Sequence, residues 1–326
     1  MAVRLADVAA AVGLSGSTVS RALSDPDKVN PATRERVLKI AQHMGYVPNQ
    51  SARSLTAGRT DLIGMLVPDI ANPFFPPIIK SVQARANDKG KTILIADIDE
   101  RPGDELQRAR VMRKRSDGLL IASPRTPQDQ LSELVALQPV VFLNREVPGG
   151  TSVIIDSADG MDQAVDHLAA LGHRSIAYLN GPRRSWSNTQ RQKAIKHACR
   201  RHSITLHEFG PFEPQVQSGV HAADLVHASA ATAVIAYDDL IALGVIARLT
   251  ERGIRTGEDV SVIGVDDSPM SAMAYPTLTT VHVPGSEAGI AAVDALLALI
   301  DGAEPGEVVN LETRLVVRSS TGPAPR

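Results

Sequence analysis

The sequence 5-LADVAAAVGLSGSTVSRAL-23 predicts two short helices near the N-terminus. Residues 5–12 read as a short Ala-rich helix, and Gly13 stops it because glycine tolerates positive φ. A second helix is predicted over 15–23, after a turn of about three residues. Two short helices joined by a tight turn need a further element to cover their apolar sides.

A third helix is predicted over 31–45, 31-PATRERVLKIAQHMG-45. Asn30 can cap its N-terminus, and Pro31 suits the first helical position, where no N–H donor is needed. An apolar stripe with helical spacing is formed by Val37, Leu38, Ala41 and Met44. The three segments predict a helix-turn-helix head over 1–46.

The second helix of the head has an unusual face. Small polar residues and one arginine surround its apolar pair Val19 and Leu23; they are Ser15, Ser17, Thr18, Ser20 and Arg21. Such side chains can contact base edges and phosphates in a major groove. Short Ser/Thr helices also occur as surface caps, so residue types alone leave both interpretations open.

Charge is distributed unevenly along the 326 residues. Residues 1–60 carry eight Lys/Arg and four Asp/Glu, a net charge of +4, whereas the remainder carries 26 and 32, a net charge of −6. A basic head on an acidic body is typical of a nucleic-acid-binding module joined to a domain with another task. The single cysteine excludes an internal disulfide framework. We see neither a signal peptide nor a membrane-spanning run, and expect a cytoplasmic protein without membrane contact.

A linker follows the head. Residues 47–60 contain few apolar side chains, and one or two helical turns are predicted over 49–55, between Pro48 and Gly58. A helix this short is marginal by itself. We expect a hinge here.

From residue 61 the pattern changes to short apolar runs that alternate with amphipathic helices. Strands are predicted at 62–67, 92–96, 118–122, 140–143, 153–155, 176–179, 233–236, 260–265 and 278–283. Helices are predicted at 76–90, 159–172, 239–253 and 285–300. Apolar strands separated by helices indicate parallel sheets covered on both faces. We predict two doubly wound α/β subdomains with a ligand between their strand carboxyl ends, about 61–157 with 284–312 and 158–283 with 313–326.

The run from Leu5 to Leu55 and the segment 63-IGMLVPDIANPFF-75 resemble the lactose-repressor (LacI) family of transcriptional regulators. Four further segments resemble that family's core in the same order: 117-DGLLIASP-124, 171-LGHRSIAYLNGP-182, 260-VSVIGVDDSP-269 and 276-PTLTTVHVP-284. The resemblance covers essentially the whole chain. It implies a core with the fold of periplasmic binding proteins. It also implies that the protein is an allosteric transcriptional regulator, and we expect a repressor. It also implies a homodimer or tetramer on a palindromic DNA operator.

The resemblance also implies roles for residues of the head and hinge. Ser17 and Arg21 would face base edges, while the DNA backbone would be positioned by Ser15, Thr18, Ser20 and Asn30. Leu55, with Ala52 beside it, would wedge into the minor groove and kink the duplex. The remaining DNA-binding positions are Leu5, Gly16, Tyr46 and Asn49. Gly16 departs from the larger side chain that the family often has there.

Candidate ligand residues follow the predicted strands of the body. They are Phe74, Phe75, Ser123, Asn144 and Asp266. Of the two adjacent phenylalanines, we expect only one to point inward and the other to line the cleft. Trp186 is either a cleft wall or a surface-packing residue.

By resemblance, Arg191 grips the effector and Asp238 lies in a ligand-contacting segment. Asp238 could instead be a helix N-cap, and both roles are compatible. Carboxylates accept hydrogen bonds and arginine donates several, which favours a hydroxyl-rich effector, a sugar or nucleoside.

Two other functions compete with this interpretation. An enzyme is disfavoured because the chain has no phosphate-binding glycine loop, no nucleophile elbow and no metal-type Cys/His cluster. We therefore expect no cofactor and no metal, and solvated histidines at 167, 173, 197, 202, 207 and 221. A plain solute-binding protein is disfavoured by the DNA-binding head and the missing signal peptide.

Overall fold

The computed structural model describes residues 3–24, 28–46 and 59–325. The chain divides into two compact units, Met1–Asp61 and Leu62–Arg326. The predicted hinge helix over 49–55, with Asn49, Ala52 and Leu55, lies outside the described residues.

The first unit contains the three predicted helices, α1 (Leu5–Val12), α2 (Gly16–Ser24) and α3 (Pro31–His43). Gly13 ends α1 in the left-handed region with φ 71°, as predicted. Asn30 caps α3, because its side chain accepts a hydrogen bond from the Ala32 N–H at 3.0 Å. The helix-turn-helix prediction is confirmed.

The three helices share a small apolar core. Its buried members are Val8, Ala9, Val12, Val19, Ala22, Val37 and Ala41. Within the apolar stripe predicted for α3, Val37 and Ala41 are buried, whereas the Leu38 side chain is 40% exposed. Leu38 follows Val37 directly, and successive residues of a helix point about 100° apart, so only one of the two can face α1 and α2.

The second unit is built on two six-stranded sheets. Strands of the first sheet are β1 (Leu62–Val67), β2 (Thr92–Asp97), β3 (Gly118–Ala122), β4 (Val140–Leu143), β5 (Thr151–Asp156) and β11 (Val308–Glu312). Strands of the second sheet are β6 (Ser175–Leu179), β7 (Thr205–Phe209), β8 (Ala233–Ala236), β9 (Ser261–Asp266), β10 (Thr279–His282) and β12 (Arg314–Val316).

The two sheets have the same plan. Their orders are β11-β5-β4-β3-β1-β2 and β12-β10-β9-β8-β6-β7. All pairs are parallel except β10 with β12, which is antiparallel. The order reverses at β1 and β3 in one sheet and at β6 and β8 in the other, where doubly wound folds bind ligands. The prediction of two doubly wound sheets is confirmed, apart from the antiparallel edge strand.

Helices cover both faces of each sheet. They are α4 (Phe75–Asp88), α5 (Pro102–Arg113), α6 (Leu131–Val135), α7 (Ser157–Ala170), α8 (Trp186–Arg201), α9 (Val216–Ala228), α10 (Asp239–Glu251), α11 (Pro269–Met273) and α12 (Gly285–Ile300). One large apolar cluster includes residues of both sheets, for example Met65 of β1 and Tyr178 of β6. The chain passes from one sheet to the other after β5, β10 and β11.

Sequence patterning missed the strands β7, β11 and β12. Side chains of β7 and β11 are exposed or half-buried and none is fully buried, so these strands do not read as apolar runs. The expectation that His173 is solvated is also wrong. It is fully buried, and its ring nitrogens lie 2.8 Å from Thr232 Oγ1 and 3.0 Å from Ser261 Oγ. These polar partners allow a histidine to occupy the interior.

Candidate functional site

A cavity of about 300 Å³ lies at the carboxyl ends of the strands in the second unit. It is lined by Asn72, Phe74, Phe75, Ser123, Arg125, Asn144, Arg191, Tyr237, Asp238 and Asp266. Both sheets contribute, because β1, β3 and β4 end at one side and β8 and β9 at the other. All the predicted ligand residues except Trp186 therefore meet in one cavity.

Three lining residues occupy strained backbone positions directly at strand ends. Ser123, Asn144 and Asp266 have φ values of 43°, 54° and 117°, a region that side chains other than glycine rarely adopt. Backbone hydrogen bonds hold the first two, from Ser123 N–H to Leu143 O and from Asn144 N–H to Val153 O, each at 2.7 Å. Such strain persists where surrounding structure enforces it and is concentrated at functional sites.

The two phenylalanines differ from the prediction. Phe74 and Phe75 are both buried, both line the cavity, and their rings meet edge to face with centroids 4.9 Å apart. Asn72 makes this possible, because its side-chain oxygen accepts a hydrogen bond from Phe74 N–H at 2.9 Å and its carbonyl accepts one from Phe75 N–H. This local turn aims consecutive rings at the same cavity.

Three buried oxygen atoms around the cavity have no hydrogen-bond partner in the described chain. They are Asn144 Oδ1, Asp238 Oδ2 and Asp266 Oδ1. Burial raises the pKa of Asp238 to about 7 and also raises the pKa of Asp266 well above its usual value. Buried polar atoms are normally paired, so three unpaired oxygen atoms at one cavity indicate a ligand with polar groups that hydrogen-bond to them.

Asp238 has a second task. Its Oδ1 accepts a hydrogen bond from the Ile241 N–H at 2.8 Å and thereby caps α10. The N-cap interpretation and the cavity-facing interpretation of this residue hold together, because each uses a different carboxylate oxygen.

Arg191 projects from α8 and is buried. Its Nη1 donates to the Tyr237 carbonyl at 2.5 Å, and its guanidinium lies 5.0 Å from the centre of the Tyr237 ring. The Tyr237 hydroxyl lies 3.0 Å from Ser185 Oγ. The guanidinium is thus oriented before any ligand binds, which lowers the entropy lost when it donates further hydrogen bonds.

Sequence reasoning missed Asn72, Arg125 and Tyr237. Asn72 and Tyr237 stand beside predicted residues, and Arg125 lies two positions after Ser123. A rule that includes the whole loop after each strand end would have found all three.

Trp186 lies apart from the cavity, contrary to its assignment as a ligand residue. It is the first residue of α8 and is half-buried. Ser185 caps this helix through the Asn188 N–H and so fixes the helical phase. Residues five apart on a helix point about 140° from each other, which directs Trp186 elsewhere when Arg191 faces the cavity.

A second candidate surface lies on α2 in the first unit. Gly16, Ser17 and Arg21 are exposed, and Ser20 is half-buried, whereas Val19 is fully buried. Residues four apart share a helix face, so 16 with 20 and 17 with 21 form one polar surface opposite the core. This is the geometry of a helix that docks into a major groove.

The other predicted DNA-contacting residues of the head have structural contacts as well. Ser15 caps α2 by accepting from the Thr18 N–H at 3.2 Å, and its hydroxyl also meets Thr18 Oγ1 at 2.8 Å. Leu5 and Tyr46 are half-buried against the helical core. Ser15 Oγ also lies 2.9 Å from the hydroxyl of Ser17, a residue of the polar face of α2.

No helix in ranges 3–24, 28–46 and 59–325 is both long and apolar enough to cross a membrane. In that same part of the chain, no cluster of three or more His, Cys, Asp or Glu side chains is arranged to hold a metal ion.

Residues 4–49 match the model of bacterial regulatory proteins of the LacI family, and residues 165–321 match that of the periplasmic binding protein-like domain. The transcriptional regulator DegA of Bacillus subtilis is 32% identical, with 97% of each chain covered. The transcriptional repressor CytR of Escherichia coli K12 is also 32% identical, covering 99% of this chain and 98% of CytR.

Solved structures agree with these matches. The lac repressor dimer bound to operator and the anti-inducer ONPF has a TM-score of 0.88 at 29% identity, with 99% of this chain and 100% of that chain covered. A complex of the regulator CelR with cellobiose has a TM-score of 0.73 at 30% identity, covering 98% and 99%. A regulator of Enterococcus faecium with bound ribose has a TM-score of 0.72 at 29% identity, covering 81% and 100%.

Proposed function

The chain belongs to the LacI family of bacterial regulatory proteins and is a DNA-binding transcriptional regulator, and from that premise we propose how its two units divide the work. The head binds operator DNA as part of a homodimer or tetramer, and the body binds the effector that adjusts operator affinity. The protein acts as a repressor in the cytoplasm, where its operator is. The boundaries proposed are 1–46 for the head, 47–60 for the hinge, and the two subdomains predicted for 61–326.

On DNA, Ser17 and Arg21 contact base edges, because they share the exposed face of α2. Ser15, Thr18, Ser20 and Asn30 position the phosphate backbone. In the hinge, Leu55 wedges into the minor groove, a role that rests on its sequence position alone. Two heads related by a two-fold axis read a palindromic operator.

The effector is a small hydroxyl-rich compound held in the cavity. The single observation that carries this proposal is the convergence of Asn144 Oδ1, Asp238 Oδ2 and Asp266 Oδ1, all unpaired, on one cavity. Hydroxyl groups can donate to all three oxygens and accept from Arg191 in return. The cellobiose and ribose complexes of related regulators support a sugar.

The test is a thermal-shift screen of sugars and nucleosides, followed by operator binding in the presence of each compound that stabilises the protein. We expect at least one compound to raise the melting temperature and to change operator affinity. A compound that stabilises the protein without changing operator affinity would contradict the regulatory role of the cavity. Stabilisation that survives the Asp266→Asn substitution undiminished would show that the effector binds elsewhere.

A further inference from the structure

One wall of the cavity is a buried arginine that sequence reasoning did not predict. Arg125 follows β3 and its side chain is only 4% exposed. Its guanidinium donates two hydrogen bonds to Glu100, from Nε to Oε2 and from Nη2 to Oε1, each 2.9 Å long. Arg125 lines the cavity, whereas Glu100 is not among the lining residues.

The backbone on the arginine side of this ion pair is braced by two buried residues. Glu105 accepts hydrogen bonds from the N–H groups of Arg125 and Thr126, at 3.1 and 2.6 Å. Arg145 donates to the carbonyls of Pro124 and Thr126, at 2.8 and 2.9 Å. The loop that carries Arg125 is therefore fixed from both sides.

The glutamate side is held just as firmly. Glu100 has φ 48°, and its N–H donates to the Pro68 carbonyl at 2.7 Å. Its side chain is 17% exposed, so one side of the pair faces outward. A bidentate pair between two braced loops has a defined geometry and little freedom to move aside.

Residues from the opposite sheet face this pair. Burial disfavours the charged form of Arg125, but Tyr237 and Glu100 together hold the pKa of its guanidinium above the usual value. Burial and the nearby Glu100 raise the pKa of Glu213, which follows β7. Arg125 therefore sits where the two halves of the cleft meet.

We infer that Arg125, held by Glu100, limits the cavity to a ligand with a single sugar ring and excludes disaccharides and nucleosides. This inference rests on the proposed function and narrows its ligand class. Arg125 lines this side of the cavity, and its two hydrogen bonds to Glu100 hold the guanidinium there. A second ring on this side would have to displace the guanidinium and leave Glu100 without its partner, which is costly for a buried pair.

The experiment measures dissociation constants by calorimetry for D-ribose, D-glucose, cellobiose and adenosine. Wild-type protein should bind one of the monosaccharides at least tenfold more tightly than it binds either two-ring compound. Arg125→Ala removes the wall and should reduce that preference at least tenfold. Glu100→Asn should also reduce the preference for monosaccharides, because it releases the guanidinium. Asparagine tolerates the positive φ at this position.

Arg101→Ala is the matched control, because this neighbouring arginine pairs with Asp99 and is 69% exposed. It should leave the preference unchanged. The inference is overturned if wild-type protein binds cellobiose or adenosine as tightly as the monosaccharides, or if a folded Arg125→Ala variant keeps the wild-type preference. In the first case a response of operator affinity to the two-ring compound would leave the proposed function intact. Binding of none of the four probes would overturn the inference, and the wider screen of sugars and nucleosides would then test the proposed function.

Discussion

Asp238 illustrates how a single residue combines structure and binding. One of its oxygens caps α10, and the other is buried at the cavity without a partner. Burial raises the pKa of this carboxyl to about 7. The unfolded chain holds the same proton more weakly, so the native state is destabilised wherever the unfolded carboxyl is ionised. This loss of stability is the expected consequence of keeping an acceptor ready for a ligand.

We predict that Asp238→Asn stabilises the ligand-free protein in a pH-dependent way. Well below pH 3.8 the carboxyl is protonated in both states, so the substitution should have little effect. As pH rises through the unfolded pKa of 3.8 towards about 7, wild-type protein loses stability that the amide retains. The gain at pH 8 should approach about 4 kcal/mol as an upper bound. Thermal unfolding between pH 4 and 8 measures it, and a gain independent of pH would contradict the burial argument.

Asp239 is the matched control for this experiment. Both of its oxygens are occupied, since Oδ1 accepts from Thr280 Oγ1 at 2.6 Å and Oδ2 accepts from the Ser268 N–H at 2.8 Å. An amide keeps an acceptor for the Ser268 N–H and turns its NH2 group towards the Thr280 hydroxyl, which can accept instead of donate. Burial also raises the pKa of Asp239, to about 6, which is a smaller rise than for Asp238, so Asp239→Asn should stabilise the protein at pH 8 less than Asp238→Asn does.

Arg191→Ala should abolish the effector response and retain operator binding. The substitution removes donors at the cavity and the contacts with Tyr237 and Ser157, all within the second unit. Operator titration with and without a saturating wild-type effector concentration measures both properties. An undiminished response would show that the ligand is held elsewhere, and loss of binding without effector would show that Arg191 is chiefly structural.

The two faces of helix α2 have different tasks, one in the core of the head and one in DNA contact. Val19 and Ala22 are buried in the head, Ser15 caps the helix, and Arg21 lies exposed on the opposite side. Helical periodicity makes this separation possible, because positions three and four apart stay on one face. Stability and DNA contact should therefore respond to different substitutions.

We expect Ser15→Ala to reduce the stability of the head by about 1 kcal/mol, because a cap to the Thr18 N–H is lost. Arg21→Ala should leave the melting temperature unchanged and weaken operator binding by about 1–3 kcal/mol. Thermal unfolding of the full chain and operator titrations at constant salt distinguish the two effects. Equal losses of stability for both variants would contradict the assignment of faces.

On the scale of the whole molecule, the effector must act on DNA binding through a difference in its affinity for two states. The cavity contains side chains from the ends of strands in both sheets, so a ligand there can favour one arrangement of the sheets. The chain runs from the head into β1 of the first sheet. The backbone therefore links that sheet directly to the head.

The predicted coupling between effector and operator is about 1–3 kcal/mol, about 5- to 150-fold in affinity. It must be reciprocal, so operator DNA should change effector affinity by the same factor as effector changes operator affinity. Calorimetry of the effector with and without operator, together with operator titrations with and without effector, measures both factors. Unequal factors would show that more than these two binding events are linked.

Sequence alone determined the helices of the head, two doubly wound sheets and most cavity residues. These follow from local causes: glycine and asparagine mark the head's helix ends, apolar runs form buried strands, and parallel strands bring their carboxyl ends to one edge. The same local reading could not find the edge strand β7, since its side chains are only partly covered.

Tertiary structure alone decided which side chains near those strand ends enter the cavity. Arg125 and Tyr237 line it, whereas Trp186 lies apart and His173 is buried among hydroxyl groups. Each outcome depends on neighbours distant in sequence, as Glu100 is for Arg125 and Thr232 is for His173. Burying a charged or polar group is tolerated only where such partners meet it, and folding, not local pattern, brings them together.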